Sequence, residues 1–175
     1  MSNVLIGIIG VILFIGLALA GALFLGPRFQ ESSNSSKAAA AAQAVTQVAH
    51  AIVLRNVQTG SPMLATNDAA NLQALVTDRY LKAVPVDPMT GAPAVFRIVD
   101  LPGNNIEAVR WVILDLGTDT RAKEACRAAE RSFGIQDPSD HIDTQVKFGA
   151  WVPEKNRAGC INNFWSNSYM IFAPV

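Results

Sequence analysis

Residues 4–25 read VLIGIIGVILFIGLALAGALFL, 22 consecutive side chains without a charge. At about 1.5 Å per residue a helix of that length spans roughly 33 Å, enough to cross a bilayer. The chain has 175 residues with 14 Lys+Arg and 14 Asp+Glu, and none of those charges precedes Arg28. An apolar segment is therefore joined to a charged, water-compatible body long enough for one domain. The formal net charge is zero. Binding through phosphate neutralisation leaves a basic footprint, so nucleic acid is excluded as the main partner. A secretory signal peptide would have a basic n-region and a shorter apolar core. Only Met1, Ser2 and Asn3 precede Val4, and the segment reads as a retained membrane helix. Gly16 and Ala20, Ala18 and Ala22, and Ala22 and Gly26 are each one turn apart. That spacing lets helix backbones approach closely, although Gly and Ala are common in any membrane helix.

Gly26-Pro27 closes the apolar run. A proline supplies no amide and clashes with the carbonyl four residues earlier, so the helix is expected to kink, loosen or stop there. Residues 30–36 are polar, a solvated helical turn or a short linker. Residues 37–55, KAAAAAQAVTQVAHAIVLR, resume a helical pattern with Ala41, Val45, Val48, Ala49 and Ile52 on one face. Thr59-Gly60-Ser61-Pro62 ends it by turn chemistry. The expected organisation is an apolar helix over 1–27, an amphipathic helix over 28–58 and a globular head over 59–175.

In the head, a second helix is expected over 68–82, with Leu72, Leu75, Val76 and Tyr80 in one stripe and Asn67 or Asp68 as its cap. Three prolines and a glycine in VPVDPMTGAP (84–93) make a loop. Strand-like runs over 94–99 and 106–114 flank the turn vocabulary of LPGNN (101–105), giving a hairpin. Residues 119–133 read as a helix with an acidic cap candidate, Asp119, and a terminating Gly134. Short strands follow near 144–152 and 168–172. The fold class expected is α+β, a long N-terminal helix and a small head with an antiparallel sheet against helices.

The two cysteines, Cys126 and Cys160, have one intramolecular pairing. In an exported body they are expected to form a disulfide; in a cytoplasmic one they would be two buried thiols. No CxxC, HExxH, P-loop or GxSxG motif occurs. His50 has no ligand partner at helical spacing and reads as a solvated or core-edge histidine. Asp137, Asp140, His141 and Asp143 crowd QDPSDHID and are the one place where a divalent cation could sit. The spacing fits no EF-hand, and such clusters are usually solvated turns, so neither a metal nor another cofactor is expected. Cys126 could act as a nucleophile only beside a base, and neither histidine is near it in sequence. Catalytic residues are not expected.

This arrangement resembles type IV pilins, in particular the type IVb group of toxin-coregulated and bundle-forming pilins. The resemblance rests on the apolar N-terminal helix, the Gly-Pro break, the Ala-rich extension, a small α+β head and a late cysteine pair. Locally, Asp87-Pro88-Met89-Thr90-Gly91 is similar to the NPFTG-like loop of that group. Cys126-Arg127 stands where the first cysteine opens a helix, and Cys160 precedes a final strand, Tyr169 to Phe172. Membership implies a homo-oligomeric helical filament on the cell surface, with apolar helices in its core and heads outside. It also implies a subunit held in the inner membrane before assembly with its head in the periplasm, and partners in the pilus assembly machinery and a prepilin peptidase. The assembly residues would be Leu5, Gly16, Ala20 and Ala22.

Leu5 departs from the family, whose members carry a glutamate at that position to neutralise a neighbour's N-terminal amine. No basic leader is present either. Two explanations are open: Met1 is the processed N-terminus, or the subunit is atypical or sits at a filament tip. Other readings of the same features are a pseudopilin of a type II secretion system, and a periplasmic enzyme or receptor anchored by the helix.

Overall fold

The structure is a computed structural model that describes residues 2–63, 68–91, 94–101, 109–135, 140–145 and 157–175. Its elements are α1 (Ser2–Thr59), α2 (Asp68–Thr77), β1 (Phe96–Leu101), β2 (Val109–Gly117), α3 (Thr120–Ser132), α4 (Asp140–Asp143), β3 (Gly159–Asn163) and β4 (Ser168–Pro174). The fold is α+β, as expected. All strand pairs are antiparallel and the sheet order is β1-β2-β4-β3. The chain forms two compact units, Met1–Asn34 and Ser35–Val175. The division falls inside α1, so the last part of that helix belongs to the head.

The expected stop at Gly26-Pro27 is corrected, because α1 is helical from Ser2 to Thr59 without interruption. Proline withholds only its own amide, and the residues around it keep their helical hydrogen bonds. Residues 30–36 are helical as well. Further on, Ala41, Val45, Val48, Ala49 and Ile52 are all buried, and they share one core cluster with the sheet. The Ala-rich sequence gives this face its flatness: methyl side chains let a helix lie close to its neighbours and lose no rotamer freedom. Gly60, at φ +65°, follows the last turn, where a left-handed residue is cheapest as glycine.

The second helix ends at Thr77, five residues short of expectation. Arg79 takes φ +65°, its amide donates to the Val76 carbonyl (3.1 Å), and the Tyr80 amide donates to the Leu75 carbonyl (2.8 Å). This is a Schellman stop, made with arginine where glycine is usual. Leu72 and Leu75 are buried, whereas Val76 and Tyr80 are half-buried. Asn67 and the Asp68 side chain lie outside the described residues.

The first hairpin is shifted along the chain relative to its expected limits. Leu101 and Asp100 belong to β1, paired with Val109 and Arg110, and the turn 102–108 lies outside the described residues. In β2 the pairing slips between Asp115 and Gly117. This bulge is held by Asp115, whose Oδ1 accepts the Gly117 amide (2.9 Å) and whose Oδ2 accepts the Ser168 hydroxyl (3.0 Å). Both faces of the sheet are buried. Val112, Leu114, Tyr169, Ile171 and Ala173 join the helix-side core, while Trp111, Ile113, Ile161, Met170 and Phe172, outside that cluster, are buried too. The Trp111 and Phe172 rings meet edge to face with centroids 5.4 Å apart.

Helix α3 follows its sequence signals closely. Asp119 is the N-cap and accepts the Ala122 amide (2.8 Å). At the other end the Ile135 and Gly134 amides donate to the Glu130 and Arg131 carbonyls, both at 3.0 Å, with Gly134 at φ +82°. The buried stripe is Ala122, Ala125, Cys126, Ala129 and Glu130. Cys126 therefore lies in the middle of the helix and not at its opening. The strand expected over 144–152 is not formed at Thr144 and Gln145, and 146–152 lie outside the described residues.

Candidate functional site

The largest exposed apolar surface is α1 between Ile6 and Leu23. This 18-residue stretch has a mean hydropathy of 2.7, and none of it is buried. Phe14 and Leu17 are each 73% exposed and Leu23 is 75% exposed. Such a surface cannot stay in water: burying each large aliphatic or aromatic side chain contributes about 1.5–3 kcal/mol. Backbone hydrogen bonds are satisfied within the helix, so the segment needs only an apolar surrounding, either lipid or other helices. Gly16, Ala20 and Ala22 are exposed on it, and a Cβ placed on Gly16 would meet no atom within 4 Å. Room for close approach by a second helix is thus present at Gly16. Leu5, Gly26 and Pro27 are in the helical backbone of α1, and their side-chain surroundings lie outside the described residues. Met1 lies outside them altogether.

In the head, Cys126 of α3 and Cys160 of β3 form a disulfide with Cα atoms 5.5 Å apart. Both are fully buried. The bridge fastens the third helix to the edge strand, and it leaves Cys126 no thiol with which to act as a nucleophile.

QDPSDHID is corrected from loop to helical turn at its second half. Residues 140–143 form α4, fixed by Ile142, which is fully buried. Asp143 is engaged by two cations, Lys123 Nζ at 2.7 Å and Arg127 Nη2 at 2.5 Å. The Lys123 hydrogen bond, with the Arg127 charge beside it, holds the Asp143 carboxyl below the ordinary carboxylate range. Asp119 is also lowered, first by the Ala122 amide it accepts and then by Arg121. Asp137 and the side chains of Asp140 and His141 lie outside the described residues. Among the described residues no three His, Cys, Asp or Glu side chains group as metal ligands. His50 is exposed and lines a groove of about 330 Å³ with Gln43, Thr46, Gln47, Ser132 and Phe133.

The loop DPMTG is ordered by its aspartate. Asp87 Oδ1 accepts the Met89 amide (2.8 Å), Oδ2 accepts the Thr90 hydroxyl (2.6 Å), and the Asp87 carbonyl accepts the Gly91 amide (2.7 Å). Gly91 is at φ +75°. Sequence reading missed the turn between β3 and β4, where Phe164 is 48% and Trp165 75% exposed. The signal was the run Asn163-Phe-Trp-Ser-Asn167 between two apolar segments, turn residues flanking aromatics. No family model matches this chain, and no curated protein matches it.

Proposed function

We propose that the chain is a structural, non-catalytic subunit of a type IV pilus-like filament, polymerising through its apolar N-terminal helix. The observation that carries this reading is the continuity of α1. A helix exposed and apolar over Ile6–Leu23 runs into a segment whose alanine face forms part of the head's core. The subunit waits in the inner membrane with its head in the periplasm, a prepilin peptidase processes it, and the assembly machinery moves the helix from lipid to the core of an extracellular filament. Leaving lipid for a bundle of like helices keeps the apolar surface dry, and small residues at Gly16, Ala20 and Ala22 set the approach. The buried disulfide suits a head that works in an oxidising space.

Negative-stain microscopy of sheared surface material from cells expressing the chain tests the reading. Filaments that react with an antibody to the head are expected from the full chain. A variant lacking residues 1–28 should yield a soluble monomeric head. Filaments from the truncated chain would overturn the role given to α1.

A further inference from the structure

Two exposed apolar patches lie at opposite ends of the head. The first is the β3–β4 turn, where the Phe164 and Trp165 rings form an edge-to-face pair with centroids 5.8 Å apart. Side-chain bonds brace this turn. Asn163 Nδ2 donates to Ser166 Oγ (2.9 Å), the Ser166 and Ser168 hydroxyls bond each other (2.6 Å), and Gln145 Nε2 donates to Asn167 Oδ1. Ser168 in turn is held by Asp115, which ties the turn to the β2 bulge. A knob fixed in this way loses little conformational freedom when it binds.

The second patch is on the last turns of α1. Val53, Leu54 and Val57 are 41%, 48% and 75% exposed, while Ala49 and Ile52 of the same helix are buried in the core. Hydrogen bonds and register show that the patches are at different poles. Tyr169 pairs beside Gly117 and Pro174 beside Trp111, so the 164–167 turn is at the Gly117 end of β2. The end of α1 is tied to the other end: Asn56 Oδ1 accepts the Met63 amide (2.9 Å), and the Met63 carbonyl accepts Arg110 Nη1 (2.5 Å). The nine residues of β2 between them extend about 27 Å.

We propose that Phe164 and Trp165 of one copy seat on Val53, Leu54 and Val57 of another copy, a head-to-tail contact between heads. The inference rests on the polymerisation reading and names a contact within it. The occupant is a second copy because one head presents both halves, a rigid aromatic knob and an apolar helix face, too far apart to meet within one chain. A contact between unlike patches, repeated by one screw operation, does not close and gives an open filament, whereas like-with-like pairing stops at a dimer. Neither Phe164–Asn167 nor the three aliphatic positions carry a charge, so no charge is desolvated at those residues when the patches meet. Exposed tryptophans are the residues that most often anchor such contacts.

The test uses the full chain, in which both native cysteines are already bridged. A Trp165→Cys, Val57→Cys double variant, treated with a short bis-maleimide after assembly, should give a ladder of dimers, trimers and higher species, and neither single variant should give one. Assembled double variant without a ladder would overturn the contact, and so would efficient dimers from Trp165→Cys alone, the mark of like-with-like pairing. As a second measurement, Trp165→Ser should lower filament yield at least about tenfold with the Cys126–Cys160 bridge intact. Normal filaments from Trp165→Ser would remove the head contact and leave polymerisation through α1 standing. An unmodified chain that makes no filament removes both.

Discussion

Gly159 and Phe172 face each other across β3 and β4, and the Phe172 ring occupies the space that a side chain at residue 159 would need. A Cβ on Gly159 would stand 2.9 Å from Phe172 Cζ, closer than carbon atoms pack. The ring cannot simply swing aside, because its neighbour is the fully buried Trp111. Gly159→Ala is therefore expected to destabilise the head by about 1–3 kcal/mol, and Phe172→Leu in that background should recover part of the loss. Urea unfolding of the detergent-solubilised chain checks this. An alanine variant with the parental midpoint would show that the ring does yield.

Loss of the Cys126–Cys160 bridge should cost about 2–5 kcal/mol. The bridged residues are 34 apart in sequence, so the unfolded chain gains a sizeable loop of freedom when the bond is absent. A non-reduced digest should contain the two peptides linked, and Cys160→Ser should unfold at lower urea concentration. Two alkylatable thiols in native material would count against the bridge and against an exported head.

Acid should weaken the head through Asp143 and Asp119. Both carboxyls are lowered in the folded protein, so each contributes stability above its unfolded value, near pH 4. That contribution is lost as pH falls through the lower folded value. The slope of stability against pH should therefore be positive below about pH 4, and shallower in Asp143→Asn. Added salt should reduce the Asp143 part, since its partners Lys123 and Arg127 share an exposed site with it. An unchanged acid limb in the double variant Asp119→Asn, Asp143→Asn would reject this assignment.

Arg79 holds a left-handed conformation that glycine adopts at no steric cost. Arg79→Gly should leave stability unchanged or raise it by up to about 1 kcal/mol, the relief of strain being partly offset by the freer unfolded chain. A loss above 1 kcal/mol in thermal unfolding would mean that the arginine side chain contributes more than its backbone costs.

Within α1, Gly16→Leu should abolish incorporation into filaments by separating the helices, and Leu5→Ala should reduce it moderately. A buried charge pair repays its desolvation poorly, so an apolar Leu5 can pack well in a filament core. Normal assembly of Gly16→Leu together with much improved assembly of Leu5→Glu would make the missing charge the limiting defect.

Where the local signal was strong, sequence and structure agree. Asp119 and Gly134 delimit α3 because a carboxylate cap and a left-handed glycine act within one turn, and the alanine face of α1 follows a 3.6-residue period over four turns. The proline at residue 27 misled because proline's local cost is about 3 kcal/mol, which a long helix can absorb. The end of α2 was missed because an arginine does what glycine usually does. Strand β3 was missed because burial on both faces removes the alternation by which strands are recognised, and all five of its residues are buried. The Phe164–Trp165 tip had a sequence signal, yet exposure depends on tertiary placement and no spacing rule conveys it.

The sheet order also sets a timetable. Strand β4 follows every other strand in the chain, yet it lies between β2 and β3 and bonds to both. Synthesis releases the N-terminal helix first, so the membrane segment can be anchored while the sheet still lacks an interior strand. Until residues 168–174 arrive, β3 has no partner and Cys160 has no frame to hold it against Cys126. A chain interrupted before that point is delivered to its membrane without a head, and the oxidation of one cysteine pair records that translation ran on far enough to finish the fold.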